Sequence, residues 1–207
     1  MTRPHPDHTR AAQRGLLISL ILLLLSGCAT QITPLSPAPH ATEPNAALWH
    51  WQLQARTALS HGNERQTANL DWQQQGPDYQ LRLFGPFGQG AAYLSGAPFL
   101  VTLTLSNGEQ HQAATPEQLL ARELNWPLPL SNLVYWVRGL PAPGPYRRLE
   151  DQQIEQDGWQ IQWSRFSQQG DWQLPGLIDL HNPPLSIRMA IHTWQPGRRQ
   201  MTEEPTP

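Results

Sequence analysis

The sequence predicts a mainly β fold, a single antiparallel and strongly curved half-barrel sheet of roughly ten or eleven strands under a short helical lid. Three observations predict it. From Trp49 onward nearly every segment alternates apolar and polar residues with the period of a half-buried strand. Clusters of Gly, Pro, Asn and Asp separate these segments at hairpin spacing. Only two stretches, near 116–124 and 131–138, take helical spacing. A sheet with one apolar face needs cover, and two short helices cannot tile all of it. Some of that face is therefore expected to line a cavity.

The first 27 residues read as a signal peptide. Arg10 and Arg14 precede an apolar run from Leu16 to Leu25, well short of the roughly 20 residues a spanning helix needs. Leu25-Ser26-Gly27-Cys28 looks like a lipobox, which makes Cys28 the expected lipidation site. Cys28 is also the only cysteine among 207 residues, so no disulfide within the chain is possible. Acylation anchors a protein through about 0.8 kcal/mol per buried CH₂, and several chains together hold it stably. Residues 28–48, rich in Pro, Ala and Thr, read as the lipidated tether, 49–195 as the folded domain, and 196–207 as a disordered tail.

Within the domain, Trp49, Trp51, Leu53, Ala55, Thr57 and Leu59 share one parity, and after His61-Gly62-Asn63 a second strand carries Ala68, Leu70 and Trp72. Gly76-Pro77-Asp78 then turns the chain into a hairpin, YQLRLFGPFGQGAAYL, with Leu81 and Leu83 alternating on its first arm. Its loop holds Pro86, Phe87 and Gly88. A phenylalanine there either folds back to cap the sheet or stays exposed as an insertion tip. Phe99, Val101, Leu103 and Leu105 alternate next, up to a strong Asn107-Gly108 turn signal. Thr115-Pro116-Glu117-Gln118 offers an N-cap, a proline at the first helical position and a capping box. Trp126-Pro127 ends that helix, and Leu130, Leu133, Val134 and Val137 mark a second one, stopped by Gly139 and Pro141. Strands resume near Tyr146, turn at Asp157-Gly158, and return through Trp159, Ile161 and Trp163. A last hairpin turns at Asn182-Pro183-Pro184 into Leu185, Ile187, Met189 and Ile191.

Charged residues make up 14% of the chain, all the basic ones are Arg, and the net charge of -2 leaves no basic footprint for nucleic acid. The nine Trp suit apolar cavities and membrane interfaces as well as cores. No nucleophile elbow, HExxH or phosphate-cradling glycine loop occurs, so no enzyme, cofactor or metal site is expected. His181 and His192 could approach across the last hairpin, but two surface histidines without further ligands do not make a metal site. Parity nominates Leu53, Leu70, Trp72, Leu81, Leu83, Val101, Leu103, Ile161, Trp163 and Ile187 as cavity walls, with Leu133, Trp136 and Val137 contributed by the lid.

The lipobox, LFGPFGQG, PLPLSNLVYWVRGLPAP and GWQIQW together resemble the LolB family of outer-membrane lipoprotein receptors, from about Trp49 to Trp194. The resemblance implies an eleven-stranded half-barrel whose hydrophobic cavity takes the acyl chains of lipoproteins from the periplasmic carrier LolA. It implies a lipid-anchored monomer on the periplasmic face of the outer membrane, with Ala29 in place of the aspartate that favours inner-membrane retention in the enteric sorting scheme. It also implies that the Pro86-Phe87-Gly88 loop dips into outer-membrane lipid, although the family usually carries Leu where this chain has Phe87. The alternative from another class is a structural lipoprotein of an envelope assembly machine, which should have a filled core.

Overall fold

A computed structural model describes residues 43–197, except 89, 98 and 127. The lipobox with Cys28, most of the tether and the end of the tail lie outside the described residues. The described residues begin with a single turn, α1 (Glu43–Ala46), and continue through thirteen strands and two further helices. Asn45 and Leu48, which the sequence assigns to the tether, are buried in the folded body, so that body starts before Trp49.

Eleven strands form one antiparallel sheet. Its first six are β1 (His50–His61), β2 (Glu64–Gln75), β3 (Asp78–Phe84), β4 (Ala92–Ala97), β5 (Leu100–Thr104) and β6 (Gln110–Ala113). The others are β7 (Arg147–Glu150), β8 (Gln153–Gln156), β9 (Trp159–Ser164), β12 (Leu177–Asn182) and β13 (Leu185–Pro196), in the overall order β6-β5-β4-β3-β2-β1-β13-β12-β9-β8-β7. A separate ribbon pairs β10 (Ser167–Gln169) with β11 (Trp172–Leu174). The sheet does not close, because β6 and β7 are its two edges. It must nevertheless curve strongly, since inward residues from β5 at one side to β8 at the other join a single core.

Alternation explains that core. On β1, Trp51, Leu53, Ala55, Thr57 and Leu59 are buried while His50, Gln52, Gln54 and Arg56 are exposed, the period-2 pattern the sequence predicts. One irregularity could not be read from parity. The register of β1 with β13 shifts between Gln54 and Ala55, leaving His192 as the extra residue of a bulge. Beyond the bulge the facing reverses, which carries Trp194 inward against Trp51 at 5.5 Å between ring centroids. The register of the last hairpin separates the two histidines. His181 pairs with Ser186 near the turn, and His192 lies six residues further along β13, roughly 20 Å away at strand rise. The two side chains are therefore not brought together, and among the described residues no cluster of metal-ligating side chains occurs.

The lid consists of α2 (Pro116–Leu124) and α3 (Leu130–Trp136). Pro116 takes the first turn as predicted, but the capping box is not made: Thr115 holds the N-cap position with no side-chain hydrogen bond. Asn125, in the left-handed conformation at φ 53°, ends α2. Leu119 and Leu120 of α2 and Leu130, Leu133 and Trp136 of α3 are buried beneath the sheet's concave face.

Candidate functional site

Both ends of the β3–β4 hairpin expose a phenylalanine, for different local reasons. In the β3–β4 loop, Gly88 donates its N–H to the Gly85 carbonyl at 2.9 Å and adopts φ 79°, which glycine alone takes without strain. The turn leaves Pro86, Phe87 and Gly88 exposed, Phe87 at 87%. The side chain does not fold back to cap the sheet. In the β4–β5 turn, the alternation that placed Phe99 with Val101 and Leu103 breaks. Phe99 lies outside the strand at φ 67° and is 92% exposed, with Leu100 beside it also exposed. This corrects its predicted inward parity, and the cause is the turn, which sets its own side-chain directions before the strand begins.

Phe99 forms part of the rim of a cavity of about 570 Å³ between the lid and the strand ends, a volume within the roughly 300–1,000 Å³ of small-molecule sites. Trp49, Trp72, Val101, Val134 and Tyr135 supply apolar wall, and Tyr79, Gln74, Thr115 and Ser131 supply polar groups. Gln74 is itself occupied: its Oε1 accepts from Trp72 Nε1 at 3.0 Å and its Nε2 donates to the Gly76 carbonyl at 2.8 Å. Of the thirteen side chains nominated as walls, Trp72 and Val101 line this cavity. Leu70, Leu81, Leu83 and Leu133 face a second, closed void of about 10 Å³, barely enough for one water.

Leu53, Leu103, Trp136, Val137, Ile161, Trp163 and Ile187 line neither space. All seven are packed in the core, because lid side chains fill the hollow that strand parity alone leaves open. Trp136 shows how: its Nε1 donates to Gln156 Oε1 at 2.9 Å, Gln156 is fixed in turn by both backbone groups of Ala142, and Trp163 Nε1 donates to the Trp136 carbonyl at 2.7 Å. These hydrogen bonds tie the lid to β8 and β9 and satisfy polar groups that would be costly if left alone.

Arg138, just past α3, was not singled out by its sequence context. It is fully buried. Its Nε donates to the Val134 carbonyl and its Nη1 to the Leu48 carbonyl, both at 2.9 Å, while Trp49 and Tyr135 place their rings 4.4 and 5.1 Å from the guanidinium carbon. Burial pulls its pKa down to about 10, still well above neutrality, so the side chain carries its charge. Because Asn45 Nδ2 donates back to the Arg138 carbonyl at 2.9 Å, this cation joins the start of the folded body to the lid. It also fixes the two aromatics of the cavity wall, which meet edge to face at 5.7 Å.

A second hollow, of about 410 Å³, lies on the outer face of β1 to β4 and β13, where Gln52, Gln54, Gln73, Gln80, Arg82 and Tyr93 surround it. It lies on the face of the sheet away from the lid, and Leu53, Trp72, Leu81 and Leu94 also border it.

An open, strongly curved antiparallel sheet over two lid helices, with an aromatic-walled cavity at one end and an exposed apolar tip at the other, defines an open half-barrel. A crystal structure of a DUF1329 family protein from Desulfovibrio piger shares the fold, with a TM-score of 0.51 at 8% identity over 75% of this chain and 90% of that one. At the sequence level the family profile described as outer membrane lipoprotein LolB matches residues 49–194. The outer-membrane lipoprotein LolB of Pseudomonas fluorescens is 34% identical over 202 residues, 89% of this chain and 97% of the relative. That of Coxiella burnetii is 34% identical over 191 residues, 86% and 91% respectively. The chain belongs to the LolB family of outer-membrane lipoproteins.

Proposed function

We propose that this protein is a receptor that accepts acylated lipoproteins from the periplasmic carrier LolA, shelters their acyl chains at the aromatic-walled cavity, and inserts them into the outer membrane. The observation that carries the reading is that cavity, open between lid and strand ends in a chain whose relatives are outer-membrane lipoproteins. Acyl chains in water cost about 0.8 kcal/mol per exposed CH₂, so a lipoprotein cannot cross an aqueous gap unaided. Passive hand-over then requires the chains to be held more tightly here than on the carrier and less tightly than in the bilayer. No covalent chemistry is needed.

The packed interior bears on how much of the acyl group the cavity can hold. In this arrangement chains reach the mouth, and going deeper requires side chains of the lid, among them Leu130 and Val134 on α3, to move off the sheet. The same packed interior favours the second reading, a structural lipoprotein of an envelope assembly. Depletion of the protein in cells distinguishes the two. The receptor reading predicts that newly made lipoproteins accumulate on the periplasmic carrier within the time the protein disappears. Normal lipoprotein delivery with a damaged envelope assembly would contradict it.

A further inference from the structure

Tyr79 on β3 and Gly96 on β4 are cross-strand partners on the concave face. The tyrosine ring lies flat over the glycine: a Cβ added at residue 96 would stand 2.1 Å from Tyr79 Cζ and 2.4 Å from its hydroxyl oxygen. The ring is thus seated on bare backbone, and it forms part of the wall of the 570 Å³ cavity. Its hydroxyl is out of solvent yet has no hydrogen-bond partner. A buried hydroxyl without an acceptor has lost water and gained nothing in return, a loss that an acceptor carried in by a ligand would restore.

The surroundings select the kind of acceptor. Burial first, and then the nearby Glu117 carboxylate, raise the pKa of Tyr79, which keeps the hydroxyl protonated and able to donate. Glu117, near enough to act on the Tyr79 hydroxyl, is held in place by accepting from the Ser131 backbone N–H at 2.7 Å. An anionic headgroup or a free carboxylate would be repelled there. A neutral carbonyl would not, and the remaining wall, with Trp72, Val101 and Val134, suits the hydrocarbon attached to it.

We propose that the Tyr79 hydroxyl is the polar anchor of this cavity, donating a hydrogen bond to a neutral ester or amide carbonyl at the head of an acyl chain and so setting how far the chain enters. This rests on the receptor reading above and adds the chemical class of the group recognised. The selectivity it confers is for acyl over alkyl linkages.

The test uses the full lipidated chain in lipid nanodiscs and a diacylglyceryl lipopeptide bearing a photoreactive group in its chains. Its adducts with the cavity wall are competed by two unlabelled lipopeptides of equal chain length, one ester-linked and one ether-linked. Any difference in bilayer partitioning between ester and ether is the same for both proteins, so it cancels when wild type is compared with Tyr79→Phe. The net worth of one hydrogen bond predicts that the ester competes about two- to tenfold better in the wild type. In Tyr79→Phe, which keeps the ring over Gly96, that advantage vanishes. Equal competition in the wild type, or an ester advantage that survives Tyr79→Phe, overturns the anchor and leaves the receptor reading standing. No cavity adduct in the wild type at all overturns both.

Discussion

Gly96 occupies a strand interior, where glycine ordinarily weakens a sheet, and the reason for its presence is the tyrosine ring laid across it. Alanine at 96 would force that ring off the β3–β4 surface, since its Cβ cannot stand 2.1 Å from Tyr79 Cζ. Overpacking of this size costs about 1–3 kcal/mol, so Gly96→Ala should lower the melting temperature by several degrees. Adding Tyr79→Ala should return much of that loss, a non-additivity that a double-mutant cycle measures directly. Additive losses would show that the ring is not what excludes a side chain at 96. The sequence places Tyr79 on the parity of Leu81 and Leu83. It does not reveal the pairing with Gly96, because the register across a seven-residue loop is not written in either strand alone. Phe99 shows the opposite limit, where strand alternation was extended one residue too far, into a turn. Arg138 illustrates a third. Its burial depends on carbonyls and rings from 90 residues upstream, and no local pattern announces a cation held without a carboxylate.

At the scale of elements, most strands of the large sheet and the two lid helices are legible, because period-2 alternation and proline and glycine punctuation act locally. The turn that divides β7 from β8 and the short β10–β11 ribbon carry no such punctuation pattern strong enough to read. Nor is the bulge at His192 legible, since an extra residue in one strand is defined only against its partner β1. The β3–β4 hairpin is the element whose function separates most cleanly from its stability. With Phe87 87% exposed, the ring contributes little to the fold, whereas burying it in lipid would contribute roughly 1.5–3 kcal/mol, or about tenfold to hundredfold in membrane engagement. Phe87→Glu should therefore keep the wild-type melting temperature and acyl-chain binding but fail to deliver lipoprotein to liposomes. Phe87→Leu should deliver normally. A Glu variant that melts well below the wild type, with delivery lost in proportion, would assign Phe87 a structural role instead.

Across the whole molecule, the balance of sheet and lid decides how much interior is left for a ligand. An excess of apolar sheet over helix implies an unfilled hollow, and where open space lies depends on where Leu119, Leu120, Leu133 and Trp136 come to rest, which only the packed structure fixes. The space survives at the strand ends carrying the β2–β3 and β4–β5 turns, beside Trp49 and Tyr135. The Phe87 loop stands at the other end of β3 and β4, roughly 20 Å away along the strand. Such a separation suits a receptor that takes a ligand at one end and meets the bilayer at the other, with the lid on the route between them. The central claim, that acyl chains occupy the mouth cavity, is tested most directly by replacing Val134 at the mouth and, in a separate variant, Tyr93 on the outer face with a photoreactive amino acid in the full chain. Each variant is then offered a lipoprotein with isotopically labelled acyl chains. Acyl-chain adducts are expected at 134 and none at 93; adducts at 93 with none at 134, while the lipoprotein is still delivered, would place the chains outside the mouth cavity.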